Sequence, residues 1–323
     1  MHIPSSIDLG SVEKPPIFTP EELAAWRHPR TLPLILDLLG PWVQIGLAIA
    51  AVVVWNHPLV WVAAFFVIGG AQHGLSLITH EFAHGLIVPK NKRLNRFLGT
   101  WVFGGASGLP FRFYIDRHWE HHLYVSTDDD TKLMYRRDYK GWHIVREALL
   151  ALSGYDYLYQ VGSVMWRHKE KAGVEKERKT YWSDFAATIL VQLMILVSFL
   201  VTLGPVHYFF LWFFPIISSS VFFAKIRSSV EHRPLGDEVG EGTTYFLGTS
   251  LPVFRSVNAT WWEKYFVTRI NFHYHIIHHL WPTISYQYLP EAHRRLTAHM
   301  HLPEPPGYLR VLVELYRADR VAR

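Results

Sequence analysis

The stretch Leu38–Thr79 reads LLGPWVQIGLAIAAVVVWNHPLVWVAAFFVIGGAQHGLSLIT, about 42 residues without one Asp, Glu, Lys or Arg. A helix crossing the hydrocarbon core of a bilayer needs roughly 20 apolar residues, so this run is long enough for two crossings. Asn56-His57-Pro58 divides it into two apolar halves, as a helix breaker would. A second run, Phe185–Ala224, repeats the design over about 40 residues, with Leu203-Gly204-Pro205 near its middle. Buried helices of soluble proteins seldom extend so far without a charge. The chain is therefore predicted to be an all-α membrane protein with four transmembrane helices in two hairpins, 38–79 and 185–224.

The turn inside each hairpin carries no charge, so nearly every Lys and Arg falls on the side that holds both termini and the long middle loop. The positive-inside rule assigns that side to the cytoplasm. A net charge of +5 then describes a cytoplasmic face against anionic lipid, with nucleic acid not expected as a partner. With no cysteine, disulfides and thiolate metal ligands are excluded. Residues 1–30 form a polar, proline-containing lead-in without the apolar core of a signal peptide, and no cleaved signal is expected. Phe97–Phe111 is apolar but too short to span, which suggests a re-entrant or interfacial segment. Arg112–Lys179 is read as cytoplasmic: Trp142–Trp166 is amphipathic enough to lie along the membrane surface, and charge-dense Arg167–Lys179 is expected to be a solvated loop. Hairpins and loops interleave, so residues 1–323 are taken as a single domain.

Of the 20 histidines, eight fall into three clusters. His80 and His84 stand at i and i+4, which puts both rings on one helix face. His118, His121 and His122, and again His275, His278 and His279, stand at i, i+3 and i+4. A lone histidine is ordinarily a satisfied polar residue; three such clusters in one chain point to metal. On the predicted topology all eight converge at the cytoplasmic side, which makes the fold a set of spans under a cytoplasmic helical cap holding the metal site. His57 and His207 lie in the opposite turns and are set aside. His73 would sit about 10 Å deeper than His80 along a helix and is a weak candidate.

Imidazole suits zinc, copper, iron and nickel. One zinc takes four ligands, or three when catalytic, so eight histidines indicate two ions, and iron is the one that supports oxygen chemistry in such a nitrogen-rich setting. His232 is a ninth candidate ligand, and Asn271 a direct or water-mediated one. Glu81, Glu120 and Glu231 are candidates to receive the other ring N–H of a ligating histidine. The run Asp128, Asp129 and Asp130 is read as a solvated loop that could also orient the second cluster. His80-Glu81-Phe82-Ala83-His84 also fits the H-E-x-x-H pattern of zinc proteases, a remote alternative that leaves the other clusters idle.

These residues resemble the membrane fatty acid desaturases. The matching motifs are His80-Glu81-Phe82-Ala83-His84, His118-Trp119-Glu120-His121-His122 and His275-Ile276-Ile277-His278-His279, interleaved with the two hairpins. The resemblance covers roughly residues 40–300. It implies four transmembrane helices, a non-haem di-iron site ligated by the eight box histidines with His232 as the extra one, dioxygen as co-substrate and a fatty acyl substrate drawn from the bilayer. Many members carry Glu where this chain has Ile277, and the front-end subgroup begins its third box with Gln where this chain has His275. The His-Pro-Gly-Gly signature of a fused cytochrome b5 is absent, which implies electrons from a separate ferredoxin- or cytochrome b5-type donor. The reaction expected is oxygen-dependent desaturation of a lipid acyl chain; a hydroxylase or ketolase of the same superfamily is the alternative.

Overall fold

A computed structural model describes residues 16–124, 130–131, 140–170, 175–232, 255–300 and 304–317. All regular structure among them is helical. In chain order the α-helices are α1 (Pro20–Trp26), α2 (Thr31–Trp55), α3 (Pro58–Ala83), α4 (Lys92–Phe97), α5 (Phe111–Tyr124), α6 (His143–Leu152), α7 (Tyr155–Glu170), α8 (Glu175–Thr202), α9 (Pro205–Tyr208), α10 (Phe214–Ile217), α11 (Ser219–Glu231), α12 (Trp261–Phe266), α13 (His275–Leu280), α14 (Leu289–Met300) and α15 (Tyr308–Arg317). Four stretches are long and apolar enough to cross a membrane: Thr31–Trp55, Pro58–Ala83, Tyr181–Thr202 and Pro205–Glu231.

Both predicted breakers act as breakers. Asn56 ends α2 in the left-handed region at φ 37°, and its side-chain oxygen accepts from Trp61 Nε1 at 3.0 Å. His57 then caps α3 by accepting from the Leu59 N–H, and Pro58 opens the helix where no N–H is needed. Gly204 turns the chain at φ 89° ahead of Pro205. The fourth stretch is not one regular helix. Pro215 has no N–H to offer the carbonyl four residues back, a π-turn occupies Phe209–Phe213, and the helix bends again at Ser218 before α11. The hydroxyls at that bend tie it sideways: Ser218 donates to the Leu152 carbonyl at 2.7 Å and Ser219 to the Phe65 carbonyl at 2.9 Å.

Helix α3 is the centre of the bundle. Of its apolar stretch 67 % is buried, against 28 % for α2 and 22 % for the third span Tyr181–Thr202, so those two present most of their surface to lipid. Glycines let other elements reach α3 closely. A Cβ on Gly69 would stand 2.0 Å from Ser219 Oγ and 2.9 Å from the Ser220 backbone nitrogen. Rotating the serine relieves only the first contact. Gly69→Ala is therefore expected to destabilise the fold by about 1–3 kcal/mol, the usual range for overpacking. Thermal melts in detergent check this, and an unchanged midpoint would refute it.

Three amide side chains inside the spans donate to backbone carbonyls of neighbouring elements, as a bilayer favours. Gln44 donates to the Val67 carbonyl at 3.0 Å, Gln72 to that of Trp212 at 3.0 Å and Gln192 to that of Gly105 at 2.7 Å.

Several expectations are corrected. The charge-dense segment 167–179, expected as a loop, is helical on both sides of residues 171–174, which lie outside the described ones: α7 runs to Glu170 and α8 starts at Glu175, and Lys and Glu are good helix formers. The fourth span outruns the charge-free stretch, carrying Lys225, Arg227 and Glu231 into the interior, where each is buried and paired. Phe97–Phe111 holds a π-helix at Leu98–Gly104 that packs on α3 and α8, in keeping with a segment too short to span. The amphipathic segment 142–166 is two helices, α6 and α7, broken at Gly154 with φ 83°. The lead-in contains α1, held by a capping box at Thr19 and Glu22; it reaches the segment that follows the third histidine box through stacking of Trp26 on Tyr288. Residues 1–15 lie outside the described ones.

Candidate metal centre

Four helices bring the histidines together. His80 lies in the last turn of α3, and His84 is its C-cap. The end is a Schellman turn, with Gly85 at φ 70°, its N–H on the Phe82 carbonyl and the Leu86 N–H on the Glu81 carbonyl. That turn sends the chain away and leaves both rings facing α5, which supplies His118, His121 and His122. Helix α13 supplies His275, His278 and His279, and His232 is the C-cap of α11. All nine are buried.

The clusters do not follow the boxes. One group comprises His80, His84, His118, His122 and His278, and the other His121, His232 and His279; within each, candidate ligand atoms lie within 4.8 Å of one another. His275 joins the second group through its Nε2, 2.9 Å from that of His232 and 3.0 Å from that of His279. In each H-x-x-H-H box the i, i+4 pair enters one group and the i+3 histidine the other. Box two gives its pair to the first group and His121 to the second; box three gives its pair to the second and His278 to the first. The groups adjoin, with the rings of His122 and His279 centred 4.5 Å apart.

These nitrogens are arranged for cations. His118 Nε2 is met by His84 Nε2 at 2.7 Å and His122 Nε2 at 3.0 Å, and His122 Nε2 by His278 Nε2 at 3.2 Å. A neutral imidazole nitrogen has a single in-plane lone pair or a single N–H, so a hydrogen bond satisfies only one of two such approaches. A metal ion between the lone pairs satisfies them all. The same holds at His275 Nε2. Burial, reinforced by the facing rings of His275, His122, His121 and His232, holds His279 well below its ordinary pKa, leaving the neutral imidazole that ligates metal.

Carboxylates stand behind the rings. His121 Nδ1 is 2.9 Å from Asp130 Oδ1, His80 Nδ1 is 3.4 Å from Glu81 Oε1, and His275 Nδ1 is 3.4 Å from Glu231 Oε2. Glu81 and Glu231 stand as expected. Glu120 does not: it pairs with Arg117 at 2.9 Å and is 43 % exposed, because its place two residues after His118 on α5 points it off the ring-bearing face. Asp130, read as part of a solvated loop, is fully buried and takes the place expected of Glu120; Asp128 and Asp129 lie outside the described residues. The one sequence signal for Asp130 was an acidic run shortly after the box. Asn271, at φ 57°, directs its side-chain nitrogen to the Tyr286 carbonyl at 3.3 Å. His73 bonds the Val267 carbonyl at 2.9 Å, outside both groups. Ile277 is buried in the apolar core, so the place where many desaturases carry Glu faces no ring here. The protease pattern fails on the same geometry: Glu81 lies behind His80, and three further histidines complete the group.

A family model for fatty acid desaturases matches residues 56–306. The chain belongs to the fatty acid desaturase family. Shorter matches connect this desaturase-family chain to characterised relatives. It is 35 % identical over 74 residues to a beta-carotene ketolase of Paracoccus sp. (strain N81106 / MBIC 01143), covering 23 % of this chain and 31 % of the relative. It is 33 % identical over 79 residues to a beta-carotene 4-ketolase of Protosiphon botryoides, covering 24 % and 20 %, and 37 % identical over 60 residues to a zeaxanthin 4-ketolase of Chlamydomonas reinhardtii, covering 19 % and 14 %. The chain thus spans less than a third of the length of each. Membrane helices, buried histidine clusters able to hold metal and desaturase-family membership together make it an integral membrane protein of that superfamily.

Two more histidines beside the third box of this family member contribute to its response to acid. Burial, aided by Lys264 and His293, lowers the His273 pKa to about 3, and burial lowers that of His293 to about 4. Unfolded copies take up protons from about pH 6.5 downward while the folded rings stay neutral. Stability is thus intact above pH 6.5 and lost as pH falls toward 4, by up to about 1.4 kcal/mol per unit for each ring. Melts of metal-free protein from pH 7 to 5 test this; a flat midpoint would refute it.

Proposed function

We propose that this protein is an oxygen-dependent lipid oxidase whose reaction is desaturation of a fatty acyl chain. In this reading His80, His84, His118, His122 and His278 hold one iron, and His121, His232, His275 and His279 hold the other. The observation that carries the reading is the pair of adjoining, buried, all-nitrogen clusters at the end of a membrane-spanning helix. The iron pair, when bound, supplies the power to oxidise an unactivated C–H with dioxygen, which no side-chain acid or base can do. The chain's own residues hold the ligands neutral and oriented: Asp130 receives the His121 ring N–H, Glu81 and Glu231 stand 3.4 Å from the Nδ1 atoms of His80 and His275, and burial keeps bulk water from the clusters. A substrate that partitions into the bilayer explains a site at a span's end. Both termini and the boxes face the cytoplasm, where a separate ferredoxin- or cytochrome b5-type protein delivers electrons.

The activities for which the relatives are named favour a second reading, ketolation of a carotenoid ring. The two differ in stoichiometry. Desaturation removes two hydrogens in one round, consuming one dioxygen, two electrons and two protons and releasing two waters. Converting a methylene to a carbonyl takes two rounds. Expression in cells containing both saturated acyl lipids and beta-carotene, with a donor system, separates them. New acyl double bonds, absent with the His275→Ala form, support desaturation. Keto-carotenoid as the product replaces it with the second reading, and no oxidised product from either class ends both.

A further inference from the structure

Helix α15 begins at Tyr308, beyond the end of the family match at residue 306. Tyr308 is 1 % exposed, and its hydroxyl donates to Glu231 Oε1. The other oxygen of that carboxylate, Oε2, lies 3.1 Å from Arg227 Nη1 and 3.4 Å from His275 Nδ1. Arg227 is itself fixed above the Phe272 ring at 4.8 Å. Two groups thus compete for Oε2, and the stronger donor is the permanently charged guanidinium. With Oε1 held by Tyr308, the carboxylate cannot swing wholly toward Arg227, and Oε2 stays within reach of the imidazole.

We infer that Tyr308 is a positioning residue for the second cluster, aligning His275 through Glu231. The inference rests on the reading that this cluster holds a metal. Burial and the adjacent Glu231 carboxylate push the Tyr308 hydroxyl up in pKa, so it remains a donor. A ligating imidazole with its Nδ1–H on an oriented carboxylate is a better base toward the metal, and the loss of such an outer partner costs roughly 10–100-fold in affinity. Tyr308 acts one residue further out, so the low end, ~10-fold, is expected. Its ring packs with Val230, Val257 and Val267, and phenylalanine keeps that packing while removing only the hydroxyl.

The test is anaerobic titration of metal-free, full-length protein in detergent with ferrous iron, against a competing chelator. In Tyr308→Phe the tighter step should be unchanged and the second ion held ~10-fold more weakly. Glu231→Gln should weaken the same step, and adding Tyr308→Phe to it should cost nothing further, since the hydroxyl acts through that carboxylate. Val311→Ala, which trims the packing of the same helix away from Glu231, should leave both steps as they were. Unchanged binding in Tyr308→Phe, additive losses in the double variant or an equal loss in Val311→Ala would each overturn the inference. So would a Tyr308→Phe protein that melts earlier without metal yet binds the second ion normally. Failure of the wild-type protein to take up a second ion is a separate result, and it overturns the underlying reading as well.

Discussion

His275→Ala is expected to lower the iron content from two ions per chain to one and to reduce product by at least ~100-fold, the top of the range known for mere outer-partner loss. The asymmetry follows from the partition of the boxes. His275 Nε2 is the nitrogen at which the second cluster meets, within 3.0 Å of those of His232 and His279. Removing it leaves three ligands in that cluster, detaches Glu231 from the site and leaves the five histidines of the first cluster in place. Oxygen chemistry that needs both ions stops. His278→Ala, three residues on, should weaken the other ion instead, because its Nε2 lies 3.2 Å from that of His122. Elemental analysis of purified protein and chromatography of extracted lipid measure both effects. Loss of both ions to the same extent in the two variants would mean that the boxes form one site.

The second large effect concerns stability. Lys225 is 4 % exposed on α11; its ammonium lies 2.6 Å from Glu147 Oε2, on the carboxylate of Asp156 and 2.9 Å from the Glu147 carbonyl. It joins α11, which ends in the metal site, to α6 and α7. Lys225→Met leaves two buried carboxylates without the ammonium they share, the half-exposed Arg146 staying on Glu147 at 3.0 Å. Breaking a buried pair by removing one partner costs about 3–5 kcal/mol, and the melting midpoint in detergent should fall accordingly. Replacing the set together, as Lys225→Met with Glu147→Leu and Asp156→Leu, should recover much of the loss, since an apolar substitute of similar volume avoids desolvating charge. A Lys225→Met protein as stable as wild type would show that the lysine is dispensable to the packing of the cap.

Local patterns in the chain were enough to determine the spans, the turns and the histidines that cluster. Charge-free runs mark the spanning helices because a bilayer penalises each unpaired charge. Asn56-His57-Pro58 and Gly204-Pro205 end helices through their own backbone preferences, and spacings of three and four gather imidazoles on one helix face wherever that helix ends up. Only the tertiary structure decided what depends on the relative rotation of separate helices. It divides each H-x-x-H-H box between two clusters, sets Asp130 rather than Glu120 behind His121, carries Lys225 and Arg227 into the interior beside distant partners, and brings Tyr308 onto Glu231. Glu120 and His121 are neighbours in the chain, yet one faces water and the other a buried carboxylate. A helix turns about 100° per residue, so chain proximity does not assign side chains to the same environment. The histidines were therefore legible as candidate ligands from spacing alone, whereas their distribution between two clusters was not: it requires α3, α5, α11 and α13 packed against one another.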